Sequence, residues 1–232
     1  MKAEERLIVA LDVREPHEAY QLTSQLAGIV SWVKVGSVLF SSAGRSLVKT
    51  LVDEGWNVFL DLKLHDVPHQ VDLTVRALSD LGVRLATVHT AGGAPMMEAA
   101  ATAASEASHG ELALLGVTVL TSMDTAELAS IGVAGTSAET VMRRAKLAQE
   151  SGLSGVVASP LEAQQVRHMV GDSFEIVTPG IRPAGVQAHD QKRVATPREA
   201  VAAGASRIVV GRAITQAADP SSAAAAILAS LK

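Results

Sequence analysis

The 232-residue sequence has no cysteine and only one tyrosine, two tryptophans and three phenylalanines. The first absence excludes disulfide staples, thiolate zinc sites and a cysteine nucleophile, and it is compatible with a reducing compartment. With so few aromatics, a core has to be filled by Val, Ile, Leu and Ala, the usual filling of sheets covered on both faces by helices. Neither charge is in large excess, since 20 Lys and Arg stand against 24 Asp and Glu for a net charge of -4. Without a basic block, the chain is expected to bind neither nucleic acid nor an anionic membrane surface in general, and any anion has to be caught locally. The longest apolar stretch, around residues 112–120, is far short of a membrane span. The opening MKAEERLIVALDV runs from charges directly into a strand-like segment, with no signal-peptide core or cleavage pattern, so a cytoplasmic protein is the expectation.

What is present is an alternation. Short β-branched runs at 7–12, 31–35, 57–63, 85–89, 113–120, 155–158, 175–178 and 207–210 are separated by helical patterns at 15–27, 38–54, 68–81, 94–108, 138–151, 161–169, 197–203 and a final alanine-rich stretch reaching Leu231. Many of the helical segments open with Pro, Ser, Thr or Asp and close with Gly, as capping requires. Eight strand–helix units, with no linker or low-complexity segment between them, predict a single α/β domain over 1–232, a (β/α)₈ TIM barrel. An open doubly wound sheet is the structural alternative, because strand order cannot be read from this pattern.

In such a barrel, ligands meet the C-terminal ends of the strands. Polar residues collect there: Asp12, Lys34, Asp61 and Lys63, His89, Thr121, Ser159, Gly180 with Arg182, and Gly211 with Arg212 end or follow the eight runs in order. The densest signal is Asp61-Leu62-Lys63-Leu64-His65-Asp66. Alternation along a strand places Asp61 and Lys63 on the inward face, with Leu60 and Leu62 turned to the helices. Lys34 ends the neighbouring run and Asp66 lies just beyond in the loop. A lone Asp-x-Lys reads as an ion pair closing the barrel. Several charges converging at one end read as a reactive site, because each buried charge costs several kcal/mol unless the arrangement has a use.

The loops after the seventh and eighth runs, Thr178-Pro179-Gly180-Ile181-Arg182-Pro183 and Val210-Gly211-Arg212-Ala213-Ile214, predict a phosphate cup: glycines admit backbone N–H groups to an anion and the arginines donate paired hydrogen bonds. Each pair alone would read as a turn glycine beside a solvated arginine. His65-Asp66-Val67-Pro68-His69 has the H-x-x-x-H spacing of a zinc helix, but Pro68 would fall inside that helix, so no metal is expected there. His17, His109, His168 and His189 read as solvated, and His89 as a satisfied polar group at a strand end.

The segment from Phe59 to Pro68 resembles the D-x-K-x-x-D signature of the orotidine 5'-monophosphate decarboxylases. The likeness extends to Ala10-Leu11-Asp12, Val33-Lys34-Val35-Gly36, Val88-His89-Thr90-Ala91-Gly92-Gly93, Val119-Leu120-Thr121-Ser122, Asp190-Gln191-Lys192-Arg193 and both cup loops. The resemblance, strongest to the bacterial form, implies a homodimeric TIM barrel without cofactor, a lyase converting orotidine 5'-monophosphate to UMP and CO₂ in pyrimidine biosynthesis. It implies Lys63 as proton donor in a charged array with Lys34, Asp61 and an Asp66 contributed by the partner subunit. Asp12 and Lys34 would hold the ribose, Thr121 the pyrimidine, and Arg182, Gln191, Gly211 and Arg212 the phosphate side. Two alternatives stay open: the magnesium-dependent 3-keto-L-gulonate 6-phosphate decarboxylases and 3-hexulose-6-phosphate synthases, which share the D-x-K-x-x-D strand but typically carry a Glu where this chain has Lys34, and a catalytically dead barrel binding phosphate ligands.

Overall fold

The computed structural model describes residues 1–182 and 195–231. Eight strands, β1 (Leu7–Ala10), β2 (Trp32–Gly36), β3 (Asn57–Leu64), β4 (Leu85–His89), β5 (Ala113–Val117), β6 (Gly155–Val157), β7 (Glu175–Thr178) and β8 (Arg207–Val210), close into a barrel in sequential order. Every neighbouring pair is parallel, including β8 against β1. The (β/α)₈ expectation therefore holds, and closure rules out the open doubly wound sheet.

Parallel strands need crossovers, and the sequence starts them with prolines whose missing N–H costs nothing in a first helical turn. Pro16, Pro68, Pro95, Pro160, Pro197 and Pro220 each stand at the first or second position of a helix. Hydroxyls supply further caps. Thr136 and Thr196 accept the N–H of Glu139 and Glu199, whose carboxylates return to the capping residue and are thereby held below the usual carboxylate range.

Strands buried on both faces divide their side chains between two cores. Val33, Val35, Leu60 and Val88 pack outward against the helices, while Ile8, Ala10, Trp32, Phe59, Leu85, Leu115, Val177 and Val209 fill the barrel. The lower end is plugged at the first residues of three strands: Arg207 pairs with Glu175 and lies 4.5 Å over the Trp32 ring. The strands' C-terminal end is left as the mouth.

Three local expectations change. Residues 38–54 do not form one continuous helix, because Gly44 adopts φ 65° and ψ -160° and breaks the run Ser37–Asp53. β5 stops at Val117 rather than Leu120; the Thr118 hydroxyl donates to the Val157 carbonyl, and a turn closed by the Met123 N–H on the Leu120 carbonyl follows. β1 likewise ends at Ala10, two residues before Asp12. Among the described residues, no helix is long and apolar enough to cross a membrane.

Candidate active site

The barrel mouth opens into a cavity of about 700 Å³, within the usual range for small-ligand sites. Asp12, Lys34, Asp61, Lys63, Thr121, Gly180, Arg182, Gly211 and Arg212 all line it. Most of the residues predicted from strand ends are therefore brought to one chamber.

Its charged floor is a chain of alternating sign. The Lys34 ammonium lies 2.8 Å from an Asp12 oxygen and 3.7 Å from Asp61 Oδ2, and the same Asp61 oxygen accepts from the Lys63 ammonium at 2.9 Å. Lys34 and Asp61 are deep, with side chains 10% and 14% exposed, whereas Lys63 is 39% exposed and faces the opening. Two cations thus share one largely enclosed carboxylate, which offsets the cost of burying the Lys34 ammonium. The backbone makes room for this. A Cβ on Gly36 would stand 3.0 Å from the Lys34 ammonium and 3.2 Å from Asp12 Oδ1, so any larger residue there would press on the ion pair.

Asp61 and Lys63 do share the inward side, with Leu60 buried and Leu62 packed toward the helices, but simple alternation is not the reason. Between the pairs Leu60↔Ala86 and Leu64↔Val88, β3 carries three residues against the single Thr87 of β4. This bulge puts Lys63 at φ 54°, in the left-handed region that side-chain-bearing residues seldom occupy. Its N–H donates to Thr87 Oγ1 at 2.8 Å, and the Thr87 hydroxyl lies 3.0 Å from Asp61 Oδ1. Thr87 is completely buried and was not among the expected site residues.

The two loops expected to form a phosphate cup reach the cavity where they are described. Gly180 has φ 77°, a conformation that a Cβ would strain, and Arg182 beyond it is buried rather than solvated. The Arg182 backbone is pinned by its N–H on the Ala195 carbonyl, and its guanidinium donates to the Ile181 carbonyl at 2.8 Å. Gly211 precedes the short helix Arg212–Thr215. Gln191 lies outside the described residues, as does His189.

Thr121 reaches the cavity from the loop after β5, not from a strand end. Ser159 caps the helix Pro160–Val170 through its hydroxyl. Asp66 is exposed beyond β3, its carboxylate accepting the Val67 N–H at 2.7 Å, and it is not part of the cavity lining of its own chain. Pro68 begins a helix, so His65 falls before it and His69 inside it; they do not share one helical face, and His65 instead stacks on His89 at 5.2 Å between ring centroids. Burial, with further pressure from His65, Arg144 and Lys63, lowers the His89 pKa to about 4, so it is neutral at pH 7 and adds no cation to the mouth. Its Nδ1 accepts the Ala91 N–H.

Residues 5–227 match the family model described as "Orotidine 5'-phosphate decarboxylase / HUMPS family". The chain belongs to this family. A relative from Hydrogenovibrio crunogenus named orotidine 5'-phosphate decarboxylase is 50% identical over 215 residues, covering 93% of this chain and 91% of the relative. One of the same name from Nitrosococcus oceani is 49% identical over 227 residues, 97% of each. The crystal structure of orotidine 5'-phosphate decarboxylase from Lactobacillus acidophilus superposes with a TM-score of 0.87 at 39% identity, covering 98% of this chain and 99% of that one.

Proposed function

We propose that this chain decarboxylates orotidine 5'-monophosphate to UMP and CO₂, the last step of pyrimidine nucleotide synthesis, without metal or cofactor. The observation that carries the reading is the position of Lys34. Its ammonium stands against both Asp12 and Asp61, where the sugar-phosphate siblings typically place a metal-binding Glu. A fixed cation there repels Mg²⁺. The names of the relatives point the same way.

Loss of CO₂ from C6 of the pyrimidine leaves an electron pair in the ring plane, with no adjacent sink to delocalise it. The site has to supply preorganised positive charge and then a proton. In this reading Lys63 does both: its ammonium is held by Asp61, faces the opening, and is the group able to deliver a proton to C6. Asp61, set against the departing carboxylate, disfavours the ground state, and Asp66 of the partner subunit in a homodimer completes the array. Asp12 and Lys34 hold the ribose hydroxyls and Thr121 the pyrimidine, while Arg182, Gln191, Gly211 and Arg212 receive the phosphate.

The magnitudes require this division of labour. Enzymes lower barriers by ~8–23 kcal/mol. One charge pair at 4 Å contributes only ~4 kcal/mol at an effective dielectric of 20. Binding energy from the remote phosphate has to order and desolvate the reacting end, so the cup acts on rate as well as affinity.

Chelation separates this reading from the magnesium-dependent siblings. Turnover of orotidine 5'-monophosphate is expected to be unchanged in excess EDTA, because lysine ammoniums do the work of a metal. Loss of activity that Mg²⁺ restores would move the chain to the sibling group. The cup has its own test: Arg212→Ala should weaken UMP roughly 10- to 100-fold, the value of a charge-assisted hydrogen bond of about 1.5–3 kcal/mol, and should lower kcat/KM as well. An unchanged UMP affinity in calorimetry would remove Arg212 from the phosphate site.

A further inference from the structure

We propose that Thr87 is a positioning residue for the decarboxylation chemistry: one buried hydroxyl sets both the carboxylate of Asp61 and the backbone from which Lys63 projects. The inference rests on the functional reading above for its kinetic consequence, and on geometry alone for the positioning itself.

The bulge in β3 leaves three residues opposite one, so the β3–β4 ladder cannot supply a carbonyl partner for every N–H along the stretch. Lys63 is left with a left-handed backbone, φ 54°, one residue before the end of β3. Such a conformation persists only where the surroundings over-determine it. The Thr87 hydroxyl replaces the missing ladder acceptor, taking the Lys63 N–H at 2.8 Å. Its own hydrogen is then available to Asp61 Oδ1 at 3.0 Å. That leaves Asp61 Oδ2 turned to the two ammoniums, 2.9 Å from Lys63 and 3.7 Å from Lys34.

The arrangement needs a group that accepts and donates at once in a space with 0% exposure. A hydroxyl on a short side chain does this. Valine has the same shape and does neither. If the hydroxyl is lost, the carboxylate plane is free to turn and the Lys63 backbone to relax. The ammonium then leaves the place that charge developing at C6 requires, and small misplacements of a catalytic group carry large rate costs.

The test compares the wild type with Thr87→Val, Thr87→Ser and Thr87→Ala. It measures kcat and KM for orotidine 5'-monophosphate, UMP affinity by calorimetry, and hydrogen exchange of the Lys63 amide by NMR. Thr87→Val should lower kcat on the order of 100-fold with KM and UMP affinity within about twofold of wild type, the pattern of a lost transition-state interaction. Exchange at the Lys63 amide should accelerate, and Thr87→Ser should restore both readouts. If the valine variant does not fold, serine against alanine isolates the hydroxyl. A valine variant with wild-type kcat and a protected Lys63 amide, or a serine variant as impaired as valine, would overturn the proposal. A wild type inert toward orotidine 5'-monophosphate would sink the functional reading instead. The exchange data would then decide the positioning claim alone: protection lost in valine and kept in serine upholds it, and protection in both refutes it.

Discussion

Lys63→Ala should lower kcat/KM for orotidine 5'-monophosphate by more than about 10⁴-fold, since it removes the proton donor and a cation aimed at developing charge together. UMP should still bind, because in the proposed mechanism the lysine acts on charge that exists only near the transition state. The fold should tolerate the change. Lys63 is partly exposed, and Asp61 keeps the Lys34 ammonium at 3.7 Å and the Thr87 hydroxyl at 3.0 Å, so its carboxylate is not left bare. Steady-state rates and calorimetry on one preparation check both halves. Activity within tenfold of wild type would take Lys63 out of the chemistry, and loss of UMP binding with the fold intact would make it a ground-state contact.

Two inactive chains should make an active one. In its own chain Asp66 is exposed and outside the cavity lining, so in a two-fold dimer it is available to the partner's site. Lys63→Ala and Asp66→Ala chains, each inactive alone, should complement when unfolded together and refolded: one site of a mixed dimer then carries both lesions and the other neither. Random pairing makes about half the dimers mixed, each with one intact site of two, so recovery should approach roughly a quarter of wild-type activity. Refolding each variant separately before mixing, under conditions without subunit exchange, is the control. With mixed dimers confirmed by mass, no recovery would place Asp66 in its own subunit's site or outside any site.

The barrel was legible because strands buried on both faces read as short β-branched runs, and prolines mark where the helices between them begin. The ends of those runs were less legible. Residues 118–120 are as apolar as the strand before them, yet the Thr118 hydroxyl turns to the Val157 carbonyl and the chain leaves the sheet. Asp12, Lys34, Asp61 and Lys63 were legible because charged residues at the ends of apolar runs have few places to go except a barrel mouth. Thr87 was not. In Leu85-Ala86-Thr87-Val88-His89 it passes for one more β-branched strand residue, and its role depends on a bulge in a different strand, which no periodicity within β4 reports. Gly36 is similar: its lack of a Cβ matters because of an ammonium that reaches back over it. The exposure of Asp66 follows from where the helix opened by Pro68 begins, which is visible in sequence; its proposed use by a second chain is not, and the mixed-dimer experiment reads it.

Conversion of orotidine 5'-monophosphate into UMP by this chain is read most directly from the loss of the orotate-ring absorbance on adding purified protein, with UMP and CO₂ quantified at the end. Complete loss of the substrate signal and equal amounts of the two products are expected. A folded protein that binds UMP but leaves orotidine 5'-monophosphate unchanged would contradict it and leave a phosphate-binding barrel without this chemistry.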